Sequence, residues 1–141
     1  MNSPEFVNVS DIKNLNDDDK VALISFKGET RIYPYYFTNY YEVVNDVFDS
    51  KNIAVTYCPL TKSGVCFDRE FNGKVYEVLA SGYLYKDNMV PSDKDLNFFW
   101  SQMYMKTIRG EKVNQPVKYH NLIETNWKTA KTYFSNSTSY C

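Results

Sequence analysis

Asn72-Gly73 lies between two strand-like stretches, VCFDREF and KVYEVLASGYLY, and no other feature limits the fold of this chain as strongly. A two-residue Asn-Gly turn takes positive φ at both positions at little cost, which matches the twist of paired strands, so the chain must double back there as a hairpin. The register depends on loop length. A two-residue loop would place Asp68 against Glu77, a like-charge pair, whereas a three-residue loop would place Glu70 against Lys74, and the longer loop is expected on that ground.

The same pattern recurs along the chain. VALISFKGETRIYP alternates and pivots on Lys27-Gly28-Glu29, which predicts a second hairpin ended by Pro34. NIAVTYC is rich in β-branched and aromatic residues and reads as a strand with Ile53, Val55 and Tyr57 on one face and Ala54, Thr56 and Cys58 on the other. The bend PLTKSG then returns the chain through VCFDREF. A further strand is expected around Met105 to Arg109, stopped by Gly110. KDNMVPSDKDLN, residues 86 to 97, reads as a loop.

Two segments carry helical spacing. Phe37, Tyr41, Val44 and Phe48 recur every three or four residues, with Thr38 or Asn39 as the cap, and Leu122, Trp127, Ala130 and Phe134 do so near the end. The expected fold class is therefore α+β: a mixed, mainly antiparallel sheet, barrel-like in one arrangement, with two or three short helices in one domain over residues 1 to 141.

Composition removes several functions. With 16 basic and 17 acidic residues the net charge is -1, so no field draws nucleic acid. No apolar run approaches the roughly 18 residues of a spanning helix, and MNSPEFVNVSD has neither the charged nor the apolar region of a signal peptide. Cys58, Cys66 and Cys141 form no CxxC pair, and with His120 as the one histidine no zinc site, metal site or cofactor is expected. The three aspartates before Val21 lack the ligand spacing of a calcium loop and read as a solvated turn. The chain has 13 tyrosines, residues suited both to half-buried sheet faces and to binding surfaces.

Several motifs recur in one order along nearly the whole chain: LNDDDKVALI, RIYP followed by YYEVVND, VTYCPLTKSGVCFDR, ASGYLYKDNMV, FWSQ and ETNW. Together they resemble an uncharacterised family of bacterial and archaeal domains, domain of unknown function 3179, some of whose members are selenoproteins. Members often carry CPLC or CPLU where this chain has Cys58, Pro59, Leu60 and Thr61. A histidine of the family's helix segment is Tyr41 here. The resemblance implies no established activity. It implies a mature domain in the periplasm or on the cell surface, with a secretion or lipoprotein signal preceding it in the native protein.

The candidate site follows from both readings. As a catalytic thiol Cys58 would need a lowered pKa, for which Arg69 and the hydroxyls of Thr61 and Ser63, or successive backbone N–H groups in the bend, are the candidates. Thr61 rules out a two-cysteine exchange within the motif. Cys66 could bridge to Cys58 across the bend, and free cysteine at a strand end equally packs as a small apolar residue. Tyr57, Asp68, Ser81, Trp100, Ser101, Gln102 and Glu42 could line a pocket, and the family match adds Tyr85 and Asn88. The expected function is binding of a small molecule or protein partner, with a single-cysteine redox enzyme as the alternative.

Overall fold

The computed structural model describes residues 1 to 140, and Cys141 lies outside them. The first half runs β1 (Phe6–Asn8), β2 (Lys20–Phe26), β3 (Glu29–Pro34), α1 (Tyr35–Tyr41), β4 (Val43–Phe48), β5 (Lys51–Cys58) and β6 (Ser63–Asp68). The second runs β7 (Glu70–Phe71), β8 (Lys74–Val75), β9 (Val78–Tyr85), β10 (Asn88–Asp93), β11 (Phe98–Trp100), β12 (Thr107–Gly110), β13 (Tyr119–His120), β14 (Ile123–Asn126), α2 (Trp127–Tyr133) and β15 (Thr138–Tyr140). They form three open sheets, ordered β1-β15-β3-β2-β14, β13-β6-β5-β4 and β12-β11-β10-β9, with β7-β8 as a separate ribbon. Among the described strands only β15 against β3 pairs parallel, so the mixed, mainly antiparallel expectation holds. The sheets do not close on themselves, and the barrel-like arrangement is absent among the described residues.

Tight turns explain most of this connectivity. Lys27-Gly28, Asp49-Ser50, Asn72-Gly73 and Lys86-Asp87 each have positive φ at both residues, the form that closes a two-residue hairpin. At Asn72-Gly73 the expected three-residue register is wrong: Glu70 faces Val75 and Phe71 faces Lys74. The feared Asp68–Glu77 pair never forms because the ribbon ends after two residues per strand, and Asp68 pairs with Ile53 in the neighbouring sheet.

Two other expectations are corrected. The helix extends only over Tyr35–Tyr41, entered from Pro34 and not capped by Thr38 or Asn39, and Glu42 ends it in the left-handed region at φ 58. The chain then becomes β4, where consecutive valines favour extended backbone and Asn45 and Asp46 are buried by specific partners. Residues 88 to 93 are not a loop but β10, every residue of which is buried. Of its polar members, Asp93 accepts through Oδ1 from the Phe98 N–H at 2.7 Å and Asn88 donates to Thr61 and Gln102, while the Ser92 hydroxyl has no partner among the described residues. Pro91 adjoins a bulge, where a missing N–H does no harm. At the C-terminal end the helix is α2, and Leu122 precedes it outside the helix. The Asn126 side chain caps α2 by accepting from the Thr129 N–H at 2.9 Å.

The central strand β5 separates two cores. Ile53 and Val55 pack with Tyr33, Phe48 and Cys66, while Ala54 and Cys58 pack with Phe67, Met89 and Trp100. Both faces are apolar, which keeps the ends of β5 and β6 in fixed positions. A third cluster joins Val21, Leu23 and Ile32 to Trp127 and Ala130 of α2.

The buried acids set an alkaline limit on this fold. Burial, and then the Asp46 charge, pushes the Tyr33 phenol above its ordinary 10.0. Burial and the bond to Glu124 do the same to Tyr35, and burial with the Asp68 and Asp46 charges raises Cys66 above 9.0. A raised folded pKa stabilises fully below the unfolded value and is lost as pH climbs past it. Stability is thus expected to fall from about pH 9 upward, and denaturant midpoints unchanged to about pH 11 would contradict the burial of these groups.

Candidate functional site

Cys58 ends β5 and faces Ser63 across the bend, while Cys66 pairs with Val55 on the opposite face of the same two strands. Side chains alternate across a sheet, so the two sulfurs point into different cores and, of the two alternatives open in the sequence, the Cys58–Cys66 bridge is not formed; both thiols are free. The Cys58 side chain is only 1% exposed. Burial pushes its pKa up, but hydrogen bonding from the Thr61 hydroxyl and from the N–H groups of Thr61, Met89 and Leu60 outweighs it and holds the thiol below its ordinary value. Successive N–H groups of the Leu60-Thr61 bend do what a backbone nest does for an anion.

Around the sulfur stands a polar cluster, buried at Gln102, Asn88 and Thr56 and open to solvent at Thr61. Gln102, fully buried, donates through Nε2 to Thr56 Oγ1 and to the Ser63 carbonyl, both at 3.1 Å. Its Oε1 accepts from Asn88 Nδ2 at 2.8 Å and from Ser63 Oγ at 3.0 Å. Asn88 also donates to Thr61 Oγ1 at 3.1 Å and accepts the Met103 N–H at 3.0 Å. Thr61 and Ser63 share one hydrogen bond of 2.7 Å in which either hydroxyl can donate.

Proton counting links this cluster to Cys58. If Thr61 turns its proton to the sulfur, Ser63 must donate to Thr61, and Gln102 Oε1 then keeps only Asn88. If Cys58 is a neutral thiol, Thr61 is free to donate to Ser63 and Ser63 to Gln102. Both arrangements keep the Thr61 and Ser63 hydroxyls donating, so the cluster accommodates either protonation state of the sulfur.

Above the cluster lies an open cleft of about 510 Å³ lined by Thr61, Tyr85, Lys86, Asn88, Ser101, Met103 and Tyr104. Four of these, Thr61, Tyr85, Asn88 and Ser101, were expected from the sequence. Cys58, Ser63 and Gln102 lie behind them and do not reach the cleft wall. Glu42 and Ser81 meet in a separate depression of about 100 Å³. There Ser81 and Gly82 form the bulge of β9, between the Ala80–Pro91 and Leu84–Met89 pairs.

The remaining expectations are corrected by position. Arg69 does not tune Cys58: its guanidinium donates to the carbonyls of Ile53, Tyr76 and Asp46, and Ile53 lies five residues back along β5, about 17 Å away at the usual strand rise. Asp68 is at that far end too, bonded to His120 Nε2 at 3.0 Å. His120, the one histidine, lies in β13 opposite Cys66 and packs edge-on against Phe26. Trp100 is core, edge-on to Phe67, and its indole N–H has no partner among the described residues. Tyr57 lies on the other face of β5, stacked on Tyr35 with ring centres 4.3 Å apart.

That stack explains the glycine of the bend. Glu124 Oε1 accepts from the Tyr35 hydroxyl at 2.6 Å and the Gly64 N–H at 3.1 Å, and a Cβ at Gly64 would overlap the Tyr35 hydroxyl. Tyr35 is held by its stack and cannot yield cheaply, so Gly64→Ala is expected to cost about 2–3 kcal/mol in chemical denaturation. Lys86, Met103 and Tyr104 were not expected at the site. Their one signal is adjacency, since they follow Tyr85 and Gln102 directly.

The family model described as a protein of unknown function (DUF3179) matches residues 1–138. The chain belongs to the DUF3179 family. No curated protein and no solved structure matches it. In this DUF3179 chain the CPLT, SG-x-LY and WSQ segments converge: Thr61, Tyr85, Asn88 and Ser101 line one cleft, with Cys58 and Gln102 beneath it. Among the described residues no cluster of histidine, cysteine or carboxylates has metal-holding geometry, and no helix is long and apolar enough to cross a membrane.

Proposed function

We propose that the protein is a binding domain whose cleft over Thr61, Asn88 and Ser101 takes a small molecule or a projecting group of a partner. The observation that carries this reading is the division of the site into an open, polar-floored cleft and a sulfur sealed behind it at 1% exposure. A buried network of amides and hydroxyls costs free energy unless every member is satisfied, and here it holds the cleft floor rigid. Preorganisation of that kind lowers the cost of binding. The extracytoplasmic location implied by the family resemblance fits a receptor-like role, and a reporter-enzyme fusion active only outside the cytoplasm would test it.

A second reading is favoured by one observation, the N–H groups and the Thr61 hydroxyl directed at Cys58. In it Cys58 acts as a single thiolate that forms a mixed disulfide with a substrate once the Thr61 bend moves aside. An NMR screen of a metabolite library against the isotope-labelled protein separates the two. Binding predicts shifts confined to the amides of Thr61, Tyr85, Asn88, Ser101 and Tyr104 with the protein mass unchanged. A covalent mass increase on Cys58, without reversible shifts, would overturn it.

A further inference from the structure

We infer that the cleft is built for a small organic anion, a carboxylate or phosphate attached to a ring that lies against Tyr85 and Tyr104. This deepens the binding reading and rests on it. Lys86 lines the cleft and no carboxylate does; Asp87, next in the turn, is outside the lining. The lysines at the two tyrosines are unneutralised. Lys86 Nζ stands 5.6 Å from the Tyr85 ring centre and Lys106 Nζ 5.3 Å from that of Tyr104, and neither has a carboxylate in salt-bridge reach among the described residues. Lys62, adjoining Thr61 on the exposed bend, is likewise unpaired there. In a chain of net charge -1 this is a local excess of positive charge around a concave surface, which concentrates anions.

The floor points the same way. Ser101 is 2% exposed and lines the cleft, its oxygen accepts the Tyr104 N–H at 3.1 Å, and its own proton has no acceptor among the described residues. A buried hydroxyl proton left over at the bottom of a lysine-flanked cleft is a donor awaiting an acceptor. Both Asn88 amide protons are already spent on Thr61 and Gln102, so Ser101 is the floor's free donor. An anionic oxygen satisfies Ser101 and Lys86 together, and the tyrosine rings receive the body that carries it.

The test uses two matched probe pairs, glucuronate with glucose and benzoate with benzyl alcohol, titrated into the labelled protein and followed by amide shifts. The anions are expected to shift Tyr85, Lys86, Ser101 and Tyr104, with affinity falling as salt rises from about 0.05 to 0.5 M. Exposed Lys86 substituted as Lys86→Glu should weaken binding about tenfold or more while the denaturation midpoint stays put. Lys106→Gln, at a half-buried position beside Tyr104, gives an independent check with a smaller loss. Neutral members binding as well as the anions would overturn the charge inference and leave the binding reading standing. No shift from any of the four probes at millimolar concentration would overturn the inference as well, and the metabolite screen then judges the binding reading separately.

Discussion

Gln102→Leu is expected to destabilise the protein by about 3–5 kcal/mol, although leucine nearly conserves the volume of the side chain. Gln102 makes four hydrogen bonds in a fully buried site. Removing its amide leaves an Asn88 N–H without its acceptor and takes a donor from the Ser63 carbonyl, while Thr56 keeps the Val65 carbonyl and Ser63 Oγ can turn to Thr61. Buried polar groups left bare cost about 1–3 kcal/mol each, and more than one is left. The midpoint of urea unfolding should drop with the slope unchanged, because the same surface is exposed on unfolding. The substitution should also loosen Thr61 and Asn88, so Cys58 becomes quicker to alkylate. A loss below about 1 kcal/mol would show that the cluster is hydrated and not held as described.

Asp46→Ala should be comparably severe, at about 3–5 kcal/mol, for a reason unconnected with the cleft. Asp46 Oδ2 accepts from Arg31 at 3.0 Å and from the buried Tyr33 hydroxyl at 2.7 Å. The Arg31 guanidinium is held between the rings of Phe6 and Phe48 and keeps its bond to the Val47 carbonyl, so the loss falls hardest on the buried Tyr33 hydroxyl. Asp46→Asn keeps an acceptor for Tyr33 and removes the charge, and should lose roughly half as much. Binding at the cleft per folded molecule should be unaffected by either change, since Asp46 is at the far end of the β4–β5 pair. Equal stability losses for Asn and Ala would contradict the role given to the tyrosine bond.

The turns explain why so much of the fold was legible. Asn72-Gly73 and Lys27-Gly28 announce hairpins through residues that accept positive φ, whereas Asp49-Ser50 and Lys86-Asp87 make the same turn with residues that give no such signal. The loop reading of 86 to 97 failed because Asn88, Pro91, Ser92 and Asp93 look like turn residues, and the burial of Asn88 depends on Thr61 and Gln102, partners remote in the chain. The long helix failed because Val44 and Phe48 happen to continue a spacing of three and four, while the strand they belong to is buried on both faces and shows no alternation.

At the site, motif order located Thr61, Tyr85, Asn88 and Ser101, since separate segments have to meet somewhere. Nearness in sequence misled for Asp68 and Arg69: an extended strand carries residues a few positions apart many ångströms from one another. Trp100 shows the opposite limit, because the motif that delivers Ser101 to the cleft points its tryptophan into the core.

The most direct test of the account is the reactivity of Cys58 followed against pH, in the native protein, by iodoacetamide labelling and by the 13Cβ shift of the residue. Cys58 is expected to show a 13Cβ titration below the ordinary thiol pKa of 9.0 together with labelling far slower than that of a free cysteine, limited by opening of the Thr61 bend. Cys66 should stay protonated and unlabelled until the fold is lost. Immediate labelling of Cys58 at neutral pH would contradict the sealed sulfur and turn the site from a binding cleft into that of a working thiol.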